Sequence, residues 1–136
     1  MESEDVIAAL GLAPHPEGGW FRETHRDSGG TAIYFLLEAG ARSHWHRVIG
    51  SSETWHHYRG APLLLYVAPE PATEGHAAEI ALGPDLAAGQ RPQFTVRAGW
   101  WQAAEARQGW ALVGCTVSPP FDFARLELAP EGFSPA

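Results

Sequence analysis

Apolar and polar residues alternate along this chain in short runs, and glycine or proline ends almost every one. The 15 Gly and 11 Pro are spread evenly, and the longest run free of both is residues 1–10. Most other runs stop by about nine residues, short of the about 11 to 12 of a mean helix. Short runs closed by turn residues predict an all-β sandwich or barrel. The start differs: Ser3 can cap a helix over residues 4–10, with Glu4 and Asp5 in its first turn and Gly11 as its stop. Beyond it the pattern predicts strands at 20–24, 31–37, 41–48, 53–59, 63–68, 76–82, 93–96, 102–106, 111–117 and 123–128. Gly29-Gly30, Gly60-Ala61-Pro62, Gly83-Pro84 and Ser118-Pro119-Pro120 read as turns, and residues 69–75 as the most mobile stretch. With no tandem repeat and no linker, residues 1–136 read as one domain, its barrel spanning about 14–129.

Composition narrows the chemistry. Hydrophobic residues make up 45% and charged residues 18%, which suits a packed core. Nine basic against 16 acidic residues give a net charge of -7, so nucleic acid is not an expected partner. Every basic residue is Arg; without Lys, Schiff-base chemistry and a P-loop lysine are excluded. Without Asn there is no N-glycosylation site. The single Cys115 can form neither an internal disulfide nor a cysteine zinc cage, and in the apolar run 112–117 it reads as a buried small residue. The acidic start does not read as a signal peptide, and no apolar stretch approaches the roughly 20 residues that span a bilayer. The expected compartment is the cytoplasm, with no membrane partner.

Four of the seven His lie close together, His44, His46, His56 and His57, with Glu53 among them. Side chains on a strand alternate faces, so His44 and His46 should point one way, and Glu53, Trp55 and His57 should share a face on the next strand. A tight connection over 49–52 would let His46 and Glu53 meet inside a barrel. Imidazoles beside a carboxylate suit either a divalent transition metal or acid–base work near neutral pH. If His46 pairs with ionised Glu53, its pKa should rise. Trp55, Trp100 and Gln102 should share the inward side with Glu53, giving an aromatic-walled pocket for a small polar or anionic ligand.

Gly40, His46, Glu53 and Gly60 are spaced as in the first motif of the cupin superfamily, and RAGWWQ (97–102) resembles the second. The runs PHPEGGWFRET (14–24), TAIYFLL (31–37), WHRV (45–48) and GCTV (114–117) resemble the cupin-5 subfamily. That resemblance implies a jelly-roll β-barrel with a deep pocket, usually a homodimer, and no settled reaction. It also implies that the positions holding a metal in a typical cupin are His46, Val48, Glu53 and Gln102 here, with His44 or His57 as possible substitutes. Thus His46, Glu53 and Gln102 stand as candidate metal ligands, although Val48 cannot coordinate and an amide is a poor donor. GWFRET (19–24) is also similar to the opening strand of the metal-free deoxysugar-nucleotide 3,5-epimerases, which use a His base. On that resemblance His46, Glu53 or His57 would be catalytic, and Arg22, Arg42, Arg47 or Arg59 could bind an anion. The expectations are a ligand-binding cupin, a metal-free isomerase using a His–carboxylate pair, or a metal-dependent dioxygenase or isomerase.

Overall fold

The computed structural model describes residues 1–69 and 77–133. Among them the chain runs α1 (Ser3–Leu10), β1 (Ala13–Pro14), β2 (Trp20–Asp27), β3 (Gly30–Leu37), β4 (His46–Val48), β5 (Ser52–Gly60), β6 (Leu63–Ala68), β7 (Ala78–Leu82), β8 (Gln93–Val96), β9 (Trp101–Glu105), β10 (Ala111–Ser118) and β11 (Leu126–Leu128). One sheet has the order β1-β2-β3-β10-β5-β8 and the other β11-β4-β9-β6-β7, every pairing antiparallel. The jelly-roll with a short N-terminal helix is therefore as the sequence leads one to expect. No helix among the described residues is long and apolar enough to cross a membrane.

Alternation builds the core. On β6, Leu63, Leu65 and Val67 are buried while Leu64 and Tyr66 are half-buried on the opposite side. They meet Phe35, Leu37, Trp55, Val113 and Cys115 of the facing sheet. Each aliphatic side chain so buried contributes about 1.5–3 kcal/mol. The helix and the segment just after it cover the back of the larger sheet: Val6 and Leu12 pack on Leu36 and Leu112, so β10 is buried on both faces over its first half.

Three local expectations differ. Ser3 does not cap α1; Glu2 precedes the helix, its amide donating to Asp5 at 2.8 Å, while the Ser3 hydroxyl reaches Glu38 at 2.9 Å. The expected strand 41–48 is a continuous strand only at His46–Val48: Arg42 still bridges Glu105 of β9 and the Ser43 amide donates to the Ala104 carbonyl, but the His44 amide turns to the Glu17 carbonyl and interrupts the ladder. The expected strand 123–128 opens as a 3-10 turn, Phe123–Arg125, whose Ala124 amide donates to Asp122. The stretch expected to be most mobile lies outside the described residues from residue 70 on, as does the start of the strand expected at 76.

Gly19 is among the glycines fixed by close approach. Gly19 has φ +82, and a Cβ there would lie 2.8 Å from Phe35 Cζ and 2.9 Å from the Leu36 carbonyl. Gly40 has a similar φ of +81 with nothing within 4 Å. Gly40→Ala should therefore cost only backbone strain, about 1–2 kcal/mol. Gly19→Ala adds overpacking and should cost about 3 kcal/mol or more. Equal urea-unfolding losses for the two variants would show that the Gly19 contact is slack.

Candidate functional site

The turn between β1 and β2 enters the barrel. Its backbone closes on itself, the His15 amide donating to the Gly19 carbonyl at 2.9 Å and the Gly18 amide to the His15 carbonyl at 3.0 Å. This rigid Pro- and Gly-rich turn places the carboxylate of Glu17, only 8% exposed, beside His46. His46 Nε2 lies 3.0 Å from Glu17 Oε2, and Nδ1 lies 2.8 Å from the His44 carbonyl oxygen. Both neighbours are acceptors, so both ring nitrogens carry hydrogen and the ring is an imidazolium. Burial opposes that charge, but Glu17, then Glu53 and the His44 carbonyl, outweigh it and raise the His46 pKa to about 9. Glu17 is correspondingly held below the usual carboxylate range: burial would raise it, and the His46 charge and hydrogen bond win.

Glu53 reaches the same space from β5. Its Oε1 accepts from Gln102 Nε2 at 2.9 Å, and Gln102 Oε1 accepts from Trp55 Nε1 at 2.7 Å. The Cys115 thiol also hydrogen-bonds Glu53. Burial, with the Glu17 charge added, pushes the Glu53 carboxyl up to about 7. The thiol itself is pushed well above its ordinary value, by burial first and by the Glu53 charge next. Gln102 faces His46 in the β4–β9 register, so one short span of the barrel holds the whole network.

Above this floor lies a cavity of about 40 Å³, its wall mostly phenyl and aliphatic (Phe21, Ile33, Val48, Val117, Phe121 and Phe123) with Glu23 and Thr31 set in it, and its floor His15, Glu17, His46 and Glu53. It has room for about three water-sized groups. Phe123 is half exposed at its rim.

Of the residues singled out in the sequence, His46, Glu53, Gln102 and Trp55 come together. The aromatic wall is different from the one expected: Trp55 is buried behind Gln102, edge-on to Phe35 at 5.8 Å, and phenylalanines line the cavity instead. Trp100 packs half-buried against the core with Arg97 over its ring. His57 shares the strand face of Glu53 but sits four residues, about 13 Å, along it. There its Nε2 meets the Ala61 carbonyl at 2.9 Å. His44 does not share the face of His46, because the chain before β4 is irregular; its ring bonds the Ala129 carbonyl at 2.9 Å. Arg22 is exposed and donates to the Leu10 carbonyl. Arg42 pairs with Glu105 and Arg47 with Glu127, and Arg59 is exposed, so none of the four arginines lines the cavity. The sequence reading missed His15 and Glu17. The signal was present: a carboxylate two residues from an imidazole, in a turn too rich in Pro and Gly to serve as a strand.

The donor set does not suit a transition metal at the positions that align with a typical cupin's ligands. Val48 offers no donor, His46 has no free lone pair, and the Gln102 oxygen is taken by Trp55. Nor do the described residues include another cluster of three His, Cys, Asp or Glu side chains suited to a metal.

A family description, the Cupin superfamily (DUF985), matches residues 4–129. The chain belongs to the cupin-5 family. A protein of Shewanella oneidensis is 39% identical to this cupin, with 95% of this chain and 85% of that one covered and a TM-score of 0.85. A hypothetical protein from Leishmania major is 32% identical, covering 95% and 88%, with the same TM-score of 0.85. The capsular polysaccharide assembling protein CapF of Staphylococcus aureus shares the fold at 12% identity and a TM-score of 0.69, over 86% of this chain and 33% of that one. No curated protein matches.

The shifted groups set a pH dependence. His46 is raised, so its contribution to stability is complete below its unfolded value of 6.5 and is lost as pH climbs through about 9. Glu53 is raised as well; its contribution is complete below 4.5 and is lost as pH climbs through about 7. Glu17 acts oppositely, its contribution being lost as pH falls through its lowered pKa. The urea midpoint of this cupin should therefore be highest near about pH 5 and fall toward alkaline pH. Glu53→Gln should remove the lower part of that fall and leave the upper. Glu17→Gln should remove the upper part and cost about 3–5 kcal/mol at mildly acidic pH, since it strands a buried charge. A midpoint that stays flat from mildly acidic to alkaline pH would rule out both assignments.

Proposed function

We propose that this cupin binds a small uncharged molecule by its polar end in the barrel cavity. The observation that carries this is the pairing of mostly phenyl and aliphatic walls with a floor of hydrogen-bonding groups. Size supports a compact head group, since about 40 Å³ does not admit a sugar nucleotide. Charge supports an uncharged one: Glu17 and Glu53 oppose an anion, and the imidazolium that would attract it is already engaged by Glu17. A homodimer in the cytoplasm is the setting we propose with it, the outer strands leaving sheet edges to cover.

Filling the cavity tests this. Small neutral carbonyl compounds and polyols should shift the Trp55 indole N–H signal saturably in NMR titrations. Val48→Phe should abolish those shifts while the fold is kept, and Tyr58→Ala on the outer face should leave them alone. Binding that survives Val48→Phe, or no binding by any of these compounds, would sink the proposal.

A second reading has one observation in its favour. A carboxyl with a pKa of about 7 is suited to take and return a proton near neutral pH, so Glu53 could move a proton next to a bound carbonyl as a metal-free isomerase. In deuterium oxide, exchange at the carbon beside the carbonyl of bound hydroxyacetone should then be lost in Glu53→Gln. An undiminished rate in that variant would remove Glu53 from this role.

A further inference from the structure

His15 makes no hydrogen bond to the acid–base pair's side chains, its Nδ1 lying 3.9 Å from Glu17 Oε2, yet it is built as carefully as any residue of the floor. Its side chain is only 6% exposed. The Glu17 backbone amide donates to Nδ1 at 3.1 Å, so Nδ1 must carry the lone pair and the neutral ring must carry its hydrogen on Nε2. That same bond disfavours the doubly protonated ring, as do the apolar surroundings. The ring is clamped edge-on to Phe21 at 4.5 Å and Phe35 at 5.8 Å, with Phe123 tilted at 6.0 Å. Nε2 has no partner among the described residues. Yet no side-chain nitrogen or oxygen sealed in protein among those residues lacks a partner, so Nε2 is not sealed in. His15 lines the barrel cavity.

We propose that His15 is the specificity-determining residue of the cavity, a tautomer-locked N–H donor that binds the carbonyl oxygen of a small uncharged ketone, aldehyde or amide. This rests on the cavity-binding function proposed above and names the chemistry that the site reads. A lone N–H amid phenyl rings calls for an acceptor, and a carbonyl oxygen brings one without charge. A carboxylate would bring an acceptor too, but it would be set beside Glu17 and Glu53, which share the floor. A metal ion is refused by the tautomer: coordination at Nε2 needs the hydrogen on Nδ1, where the Glu17 amide already points.

The test uses hydroxyacetone as the probe, acetate as its anionic counterpart, and nitrogen-15 NMR of the histidine side chains in the intact protein. In the free protein at neutral pH His15 should be the Nε2–H tautomer; finding hydrogen on Nδ1, or on both nitrogens, overturns the proposal with no variant needed. Hydroxyacetone should shift the His15 Nε2–H signal saturably, and acetate should bind at least tenfold more weakly. His15→Phe keeps the ring packing and removes the N–H. With native His46 and Trp55 signals it should bind hydroxyacetone at least tenfold more weakly. Equal binding by His15→Phe and the natural protein overturns the role of His15 and leaves the cavity-binding function standing. No saturable shift at any cavity signal in the natural protein overturns both.

Discussion

A positive and a negative charge buried together, His46 and Glu17, are the constraint around which the rest of this barrel is arranged. Taking two ions out of water costs several kcal/mol each, and only close contact with full hydrogen bonding offsets that. Each requirement is met by an identifiable piece of chain. The His46 ring gives one hydrogen to Glu17 and the other to the His44 carbonyl. The His44 amide in turn donates to the Glu17 carbonyl at 2.7 Å, tying the Pro- and Gly-rich turn to the segment before β4. At His44 the backbone therefore leaves the β9 ladder that Arg42 and Ser43 still join, and the regular strand β4 is only His46–Val48.

The pair also acts on its neighbours. Burial pushes Glu53 toward its protonated form, and the ionised Glu17 adds to that push. Gln102 then orients by its partners: its oxygen has the Trp55 N–H, its nitrogen the Glu53 carboxyl. Three ionisable groups in one small space thus have their pKa values driven apart, one below the carboxylate range, one to about 7 and one to about 9. Separation of that kind is how a protein keeps an acid, a base and a fixed charge side by side at one pH.

Much of this fold was legible because period-two alternation and turn residues are local signals. The strands at 63–68 and 93–96 begin and end where the pattern places them. The site was legible in part. His46, Glu53 and Gln102 were found because motif spacing reports residues that the barrel brings together. His15 and Glu17 were missed because their signal is a turn, and nothing local says that a turn folds inward. His57 was placed inward correctly by alternation, but alternation gives a face and not a depth along the strand. His44 failed for a different reason: a backbone that bonds to Glu17 has no regular pleat to alternate on.

Val48 and Gln102 explain together why an imidazolium occupies the floor. At two of the four positions that align with the metal-holding positions of a typical cupin, this chain has an alkyl group and an amide whose oxygen is already bonded. A divalent cation would then find His46 and Glu53 with no further free donor among those four positions. Glu17, arriving from the β1–β2 turn, changes the problem: a carboxylate that close favours a proton on His46 Nε2 over a lone pair. The positive charge at the centre of this barrel is accordingly a protonated ring with fixed partners. Such a charge cannot accept a lone pair from a ligand, so recognition is left to the groups that still have a hydrogen or a lone pair to offer. On the floor of the cavity those include His15 and Glu53.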